Sequence, residues 1–156
     1  MSGTAEVYVA LKAHAIAAAP GAALPTTKYP AGSGDYAGKP KYVQYQGLLF
    51  KAPTNERWYR ITCLPGEPAA AGIGESAANR HVGIFQIDIF DPAGNGDGAT
   101  IAEAERIAAC YKRDTVLVYS GVTVRCVKAY RSAGNSDDPA WFMVSVVVRW
   151  TADVAN

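Results

Sequence analysis

The residue types from which a thiolate nucleophile or a zinc site would be built are few here: two histidines, His14 and His81, and three cysteines, Cys63, Cys110 and Cys126. A nucleophilic thiol needs an imidazole or another positive centre beside it. Each cysteine instead falls inside an apolar stretch read as strand or helix, where it serves as a small buried hydrophobe. No two candidate ligands have the short spacing of a zinc loop. Gly94-Asn95-Gly96-Asp97-Gly98 precedes a helical pattern, and backbone N–H groups at a helix start favour anions. It lacks the lysine and hydroxyl of a nucleotide-binding loop and the glycine spacing of a dinucleotide fingerprint. As a calcium loop it would put Ala93 at the first ligand position and Ala104 at the closing acid position, neither of which supplies an oxygen. It reads as a strand-to-helix turn. Asp137-Asp138 reads as a solvated loop tip, and Lys112-Arg113 as the basic end of a helix. Arg125, Lys128 and Arg131 are a modest basic set, and the first two would line a groove if they shared a sheet face with Arg149. No acid, base and nucleophile assemble, so no catalytic, cofactor or metal site is expected, and the chain reads as a binding or structural domain rather than an enzyme.

The elements that position these residues follow from periodicity. Val82 to Phe90 alternates, with Phe85, Ile87 and Ile89 on one face and Gln86 and Asp88 on the other, the pattern of a half-buried strand. Asp91-Pro92 ends it, the glycine-rich turn follows, and Ala99 to Tyr111 carries Ile101, Ala104, Ile107 and Tyr111 at helical spacing. Thr100 to Glu103 fits a capping box, with Asp97 as a competing N-cap. Thr4 to about Ala19 reads as a first helix stopped by Pro20-Gly21, its buried side marked by Val7, Leu11 and Ile16. Trp58 to Leu64 is a strand, joined to the Val82 strand by the small-residue stretch Glu67 to Arg80 as a hairpin with an extended tip around Ile73. Thr115 to Tyr119 and Val122 to Val127 pair through Ser120-Gly121, and Trp141 to Trp150 closes the sheet with Phe142, Val144, Val146, Val148 and Trp150 on one side. The expected fold is α+β, an antiparallel or mixed sheet with two helices packed on one face and long loops.

Residues 20–57 are the least regular part, rich in proline, glycine and tyrosine. The tyrosines at 29, 36, 42 and 45 argue against plain disorder. Tyr42 to Tyr45 and Leu48 to Phe50 would form a short hairpin within it. The segment is either a loop folded over its own core or a partner-binding arm.

Length and charge set bounds on all of this. A chain of 156 residues is one domain by size, able to bury a sizeable core, and its formal net charge of +1 gives no global field toward nucleic acid or an anionic membrane. Unpaired cysteine usage points to a reducing compartment. The alanine-rich start lacks the basic region of a signal peptide, and no run reaches the length of a membrane span.

The order of several motifs resembles the phage tail-terminator-like family, small proteins encoded among the tail genes of long-tailed phages and prophages. The carrying residues are Trp58 to Pro65, Gly72-Ile73-Gly74, His81 to Ile87, Pro92-Ala93-Gly94 with Gly96 and Gly98, and Trp141-Phe142. The resemblance implies one domain over residues 1–156 with a long irregular segment at 20–57, helices on one face of a sheet, and a virion structural protein. It implies a homohexameric ring that caps the tail tube, ends its polymerisation and forms the joint to the head. Implied partners are further copies of the chain, the tail tube protein and a neck or head-completion protein, with no membrane. Genomic DNA would pass through the lumen without specific binding. The implied location is the head-proximal end of the tail, assembled in the host cytoplasm. Candidate interface residues on three loops, Pro20 to Arg57, Glu67 to Arg80 and Arg131 to Pro139, are Tyr36, Tyr42, Tyr45, Ile73, Arg80, Asp137 and Asp138. The alternatives are a neck or head-completion protein, or a small ligand-binding α+β domain using the Gly94 to Gly98 loop.

Size is consistent with a ring. A domain of this length is a sphere about 38 Å across. Six touching spheres leave a hole as wide as one of them, enough for a duplex roughly 20 Å wide, whereas three leave only about 6 Å. Near-neutral charge also suits a conduit, because a strongly basic wall would hold phosphates that must slide.

Overall fold

The computed structural model describes residues 3–74 and 76–155. Two long strands form its spine: β4 (Asn79–Pro92) and β7 (Trp141–Val154) run antiparallel in unbroken register from Asn79 opposite Val154 to Pro92 opposite Trp141. The helix α1 spans Gly3–Ile16 and α2 spans Gly98–Cys110; the remaining strands are β1 (Val43–Tyr45), β2 (Trp58–Pro65), β3 (Ala69–Ala70), β5 (Val116–Tyr119) and β6 (Val122–Arg131). The sheet order is β1-β2-β4-β7-β6-β5, with β3 pairing the start of β4, and β1 beside β2 is the one parallel pair in that path. The class is α+β with a mixed sheet. The last strand therefore does not close the sheet at an edge, as its position in the sequence suggests, but lies between β4 and β6, where near-continuous apolar character suits burial.

Alternation puts Ile61, Phe85, Ile87, Ile89, Val144, Val146, Val148, Trp150, Val124 and Cys126 on one face, all buried. Both helices pack there: α1 through Val7, Ala10, Leu11 and Ala15, α2 through Ala104 and Ile107. Ile16, expected on the buried side of α1, is exposed, because the helix ends at Ile16 and the chain turns so that Ala22 and Leu24 cover the core instead. Tyr111 follows α2 and is fully buried; its hydroxyl donates to the Leu11 carbonyl, and its ring meets His14 edge-on at 4.9 Å. The two helices are thereby tied to each other as well as to the sheet. Gly83 is required by packing: a Cβ there would lie 2.5 Å from the Trp150 ring.

Two local expectations fail for physical reasons. Thr100 and Glu103 do not form a capping box; α2 starts at Gly98 after Asp97, and both side chains turn toward the sheet to meet buried partners. Within residues 20–57 the hairpin is absent. Val43–Tyr45 instead adds in parallel to β2, where Val43 is buried and the sheet supplies a ready edge.

Candidate interaction surface

With both helices on one face, the other face of the sheet is left to side chains alone. Its upper half, toward Pro92 and Trp141, carries an aromatic cluster: Trp58 stacks on Phe90 at 3.9 Å and 3°, Trp141 meets Trp58 edge-on at 6.0 Å, and Phe50 leans on it at 5.1 Å. Register explains the cluster, since Trp58 and Phe90 are direct cross-strand partners and Trp141 sits opposite Pro92. Beside it lies a polar group that alternation alone consigns to solvent. The Asp88 carboxylate is 1% exposed and accepts hydrogen bonds from Arg60 at 2.8 Å, Gln86 at 2.7 Å and Ser145 at 2.5 Å. Arg60 of β2 and Ser145 of β7 are the direct cross-strand partners of Asp88, and Gln86 lies beside it on β4, so three strands build the site.

The lower half of the same face is different. A groove of about 420 Å³ runs among Leu64, Val82, Ile84 and Val127, with Arg149 on its rim. Leu64, Val82 and Val127 are exposed. Strict alternation places Arg125 and Lys128 on opposite faces, but a bulge between Cys126 and Lys128 shifts the phase, so that Lys128 is paired with Arg149 and Arg125 with Thr151. The three cations therefore do share the open face, but they do not line one groove: Arg125, Lys128 and Arg149 each border a different pocket. Arg131 is apart from them, bonded to Glu105 of α2 at 3.2 Å.

The helical side holds its own polar system. Arg57 makes a bidentate pair with Asp91, both contacts 2.7 Å, and Thr100 donates to the same carboxylate at 2.6 Å. The Tyr59 hydroxyl and Arg106 both donate to Glu103, and Arg106 also reaches the Ala22 carbonyl. Burial pushes the Asp91 carboxyl up, but the bonds from Arg57 and Thr100 outweigh it and hold it below its usual range. The bond from Arg106, working against burial, does the same for Glu103. Burial and the Glu103 charge drive the Tyr59 hydroxyl well above its ordinary value. Burial also pushes the Cys63 and Cys126 thiols up to about 11, so both are protonated near neutral pH. His14 does approach a cysteine, but it bonds the Cys110 carbonyl at 2.8 Å, while the Cys110 thiol donates to the Arg106 carbonyl.

The seven candidate interface residues fall in three separate places. Tyr36 contacts Tyr29, Tyr42 lies under the Lys41 ammonium, and Tyr45 packs against the core edge with Lys12 over its ring. Ile73, fully exposed, tips an arm in which Ala69 and Ala70 pair with Arg80 and Asn79. Arg80 clamps the base of that arm to Asp153 through two bonds of 2.8 and 3.0 Å. Asp137 and Asp138 lie at the opposite end of the β4–β7 spine; Asp138 accepts from the Ala140 N–H, and Asn135 accepts from that of Asp137. The residues missed by sequence reading are Arg57, Asp91 and the Asp88 quartet. Their signal is charge at register positions, invisible until the strand pairing is known.

Comparison with known proteins gives the relationship. No curated protein matches in sequence. Two solved structures share the fold: one that carries no functional description, with a TM-score of 0.58 and 20% identity, covering 97% of this chain and 92% of its own, and a chain from the virion of a native gene transfer agent particle, with a TM-score of 0.56 and 17% identity, covering 99% and 98%. A family model described as phage tail terminator protein matches residues 15–150, a span that includes β4, most of β7, α2 and all three candidate loops. The chain belongs to the phage tail terminator protein family.

Proposed function

We propose that this protein caps the tail tube as a closed ring, stops tube polymerisation at its set length and presents a surface to the proteins of the head. The observation that carries the proposal is the family match from residue 15 to 150, which makes a structural part in a phage tail the starting point. Two features of the molecule support the finer reading. One sheet face is covered by helices, and the lower half of the other is left open, with Leu64, Val82 and Val127 exposed, so a surface remains for neighbours. Loops project at both ends of the spine, at Ile73 and at Asp137-Asp138, which gives a ring subunit one set of contacts for the tube and another for the neck. The chain works here by contact, without a cofactor, and DNA slides through a lumen whose wall is not strongly basic overall.

Electron microscopy of particles from the source phage or prophage carrying a stop codon at Trp58 tests this. Tails of uncontrolled length without joined heads are expected. Normal-length tails beside unattached full heads would reassign the protein to the neck, and intact infectious particles would remove it from tail assembly.

A further inference from the structure

The lower half of the open face holds two features that the chain leaves incomplete. The groove among Leu64, Val82, Ile84 and Val127 is apolar and open. Arg149 lines it, and the direct cross-strand partner of Arg149 is Lys128, a cation of the same sign whose ammonium lies 5.4 Å over the Tyr130 ring. Among the described residues neither cation has a carboxylate in ion-pair reach. Like charges directly opposite on a sheet face repel, so this arrangement stabilises nothing within the chain. An apolar slot with a cation at its edge fits an apolar knob that carries carboxylates.

The same chain carries such a knob. The stretch from Gly66 to Ala78 contains two glutamates, no basic residue, and one large apolar side chain, Ile73. Ile73 sits between two glycines with its whole side chain in water, and Glu67 at the root of the arm is exposed. The pairing of Ala69-Ala70 with Arg80-Asn79, extended by the bond from the Ala71 N–H to the Ala78 carbonyl, holds the arm out straight. It does not fold back: the groove lies at the arm's own root, against Gly66 and Val82, and the knob lies seven residues further on, up to about 25 Å away in an extended chain. Knob and slot at different places on one chain allow a head-to-tail contact, the kind that closes into a ring when the rotation between neighbours permits; a ladder that stops at the dimer would instead mean reciprocal exchange of arms.

We infer that the Ile73 arm of one copy seats in the Leu64–Val82–Ile84–Val127 groove of the next, with the acidic stretch of the arm facing Arg149. This rests on the ring proposed above and names the contact that builds it. Arg149 then gains a carboxylate partner on assembly, which discourages wrong packing of the free chain.

Purified tails from a phage whose chain carries Ile73→Cys and Val127→Cys together test the contact, read on a non-reducing gel after mild oxidation. A ladder of covalent multimers ending at the mass of a closed ring is expected, with each single variant giving none. Tails that contain the double variant, with both introduced thiols reactive to maleimide but no ladder, would overturn the inference while leaving the ring reading intact. A ladder to the tube protein, or to nothing until the DNA is removed, would overturn it in favour of those occupants. Absence of the chain from tails would instead defeat the proposed function, and this contact with it. A charge exchange gives an independent reading: Arg149→Glu is expected to lower the yield of head-joined particles at least tenfold, and Glu75→Arg, two residues along the chain from Ile73, to restore it in the same chain. No effect of Arg149→Glu, or no recovery with Glu75→Arg, counts against the inference.

Discussion

The two faces of the sheet solve the same problem in opposite ways. On the helical face a central set of polar groups is knit into the fold: Arg57, Asp91, Thr100, Tyr59, Glu103 and Arg106 join β2, β4, α2 and the Ala22 turn in one connected system. On the open face only the upper half is finished, by the Trp58 cluster and the Asp88 quartet, while the lower half keeps an open apolar groove and two facing cations. A connected set of paired charges serves folding, and a face that leaves like charges opposite each other is made for something outside the chain.

That contrast can be broken by mutation. The largest effect belongs to the helical face: Phe85→Ala, at a fully buried position under Tyr111, is expected to cost about 3–5 kcal/mol in urea denaturation. Next comes Asp91→Asn, expected to cost about 2–3 kcal/mol near neutral pH because it removes the charge and replaces one of the two acceptor oxygens that Arg57 and Thr100 use with a donor. Its pH dependence sharpens the assignment. Asp91 and Glu103 lie below their ordinary values in the folded chain, so their stabilisation is fully present above the unfolded carboxyl range, near pH 4, and is lost as pH falls through the depressed folded values. The gap between wild type and Asp91→Asn should therefore hold from pH 8 to about 5 and narrow toward pH 2–3; a constant gap would mean that the charge is irrelevant.

On the open face Arg60→Met should cost roughly 1.5–3 kcal/mol, since it leaves the buried Asp88 carboxylate with only Ser145 and Gln86. A loss below about 0.5 kcal/mol would show that this quartet is not part of the fold's support. The smallest effect is at the arm: Ile73→Asp should leave the unfolding midpoint of the isolated chain unchanged within about 0.5 kcal/mol, because Ile73 touches nothing that folding buries. The same variant should nonetheless abolish head-joined particles, so stability and assembly separate at one residue.

Much of this was legible before any coordinates. Strict alternation located the core faces of β4 and β7, and helical spacing located Ala104 and Ile107 on α2. What stayed hidden depended on register and phase. Asp88 is read as solvent-facing until Arg60 and Ser145 are known to lie directly opposite it. Arg125 and Lys128 belong to different faces until the bulge after Cys126 is known. Thr100 and Glu103 have the spacing of a cap, but buried Asp91 and Tyr59 offer better partners than the exposed backbone of the first turn. Short parallel pairing of Val43 to Tyr45 has no local signature, because it is created by the free edge of β2.

Cryo-electron microscopy of intact particles from the source phage, focused on the junction between tail tube and head, tests the central claim most directly. The account predicts copies of this chain closed in a ring around the lumen at the head-proximal end of the tube, one layer deep. Density for the chain at the other end of the tail, on the capsid, or nowhere in the particle would contradict it.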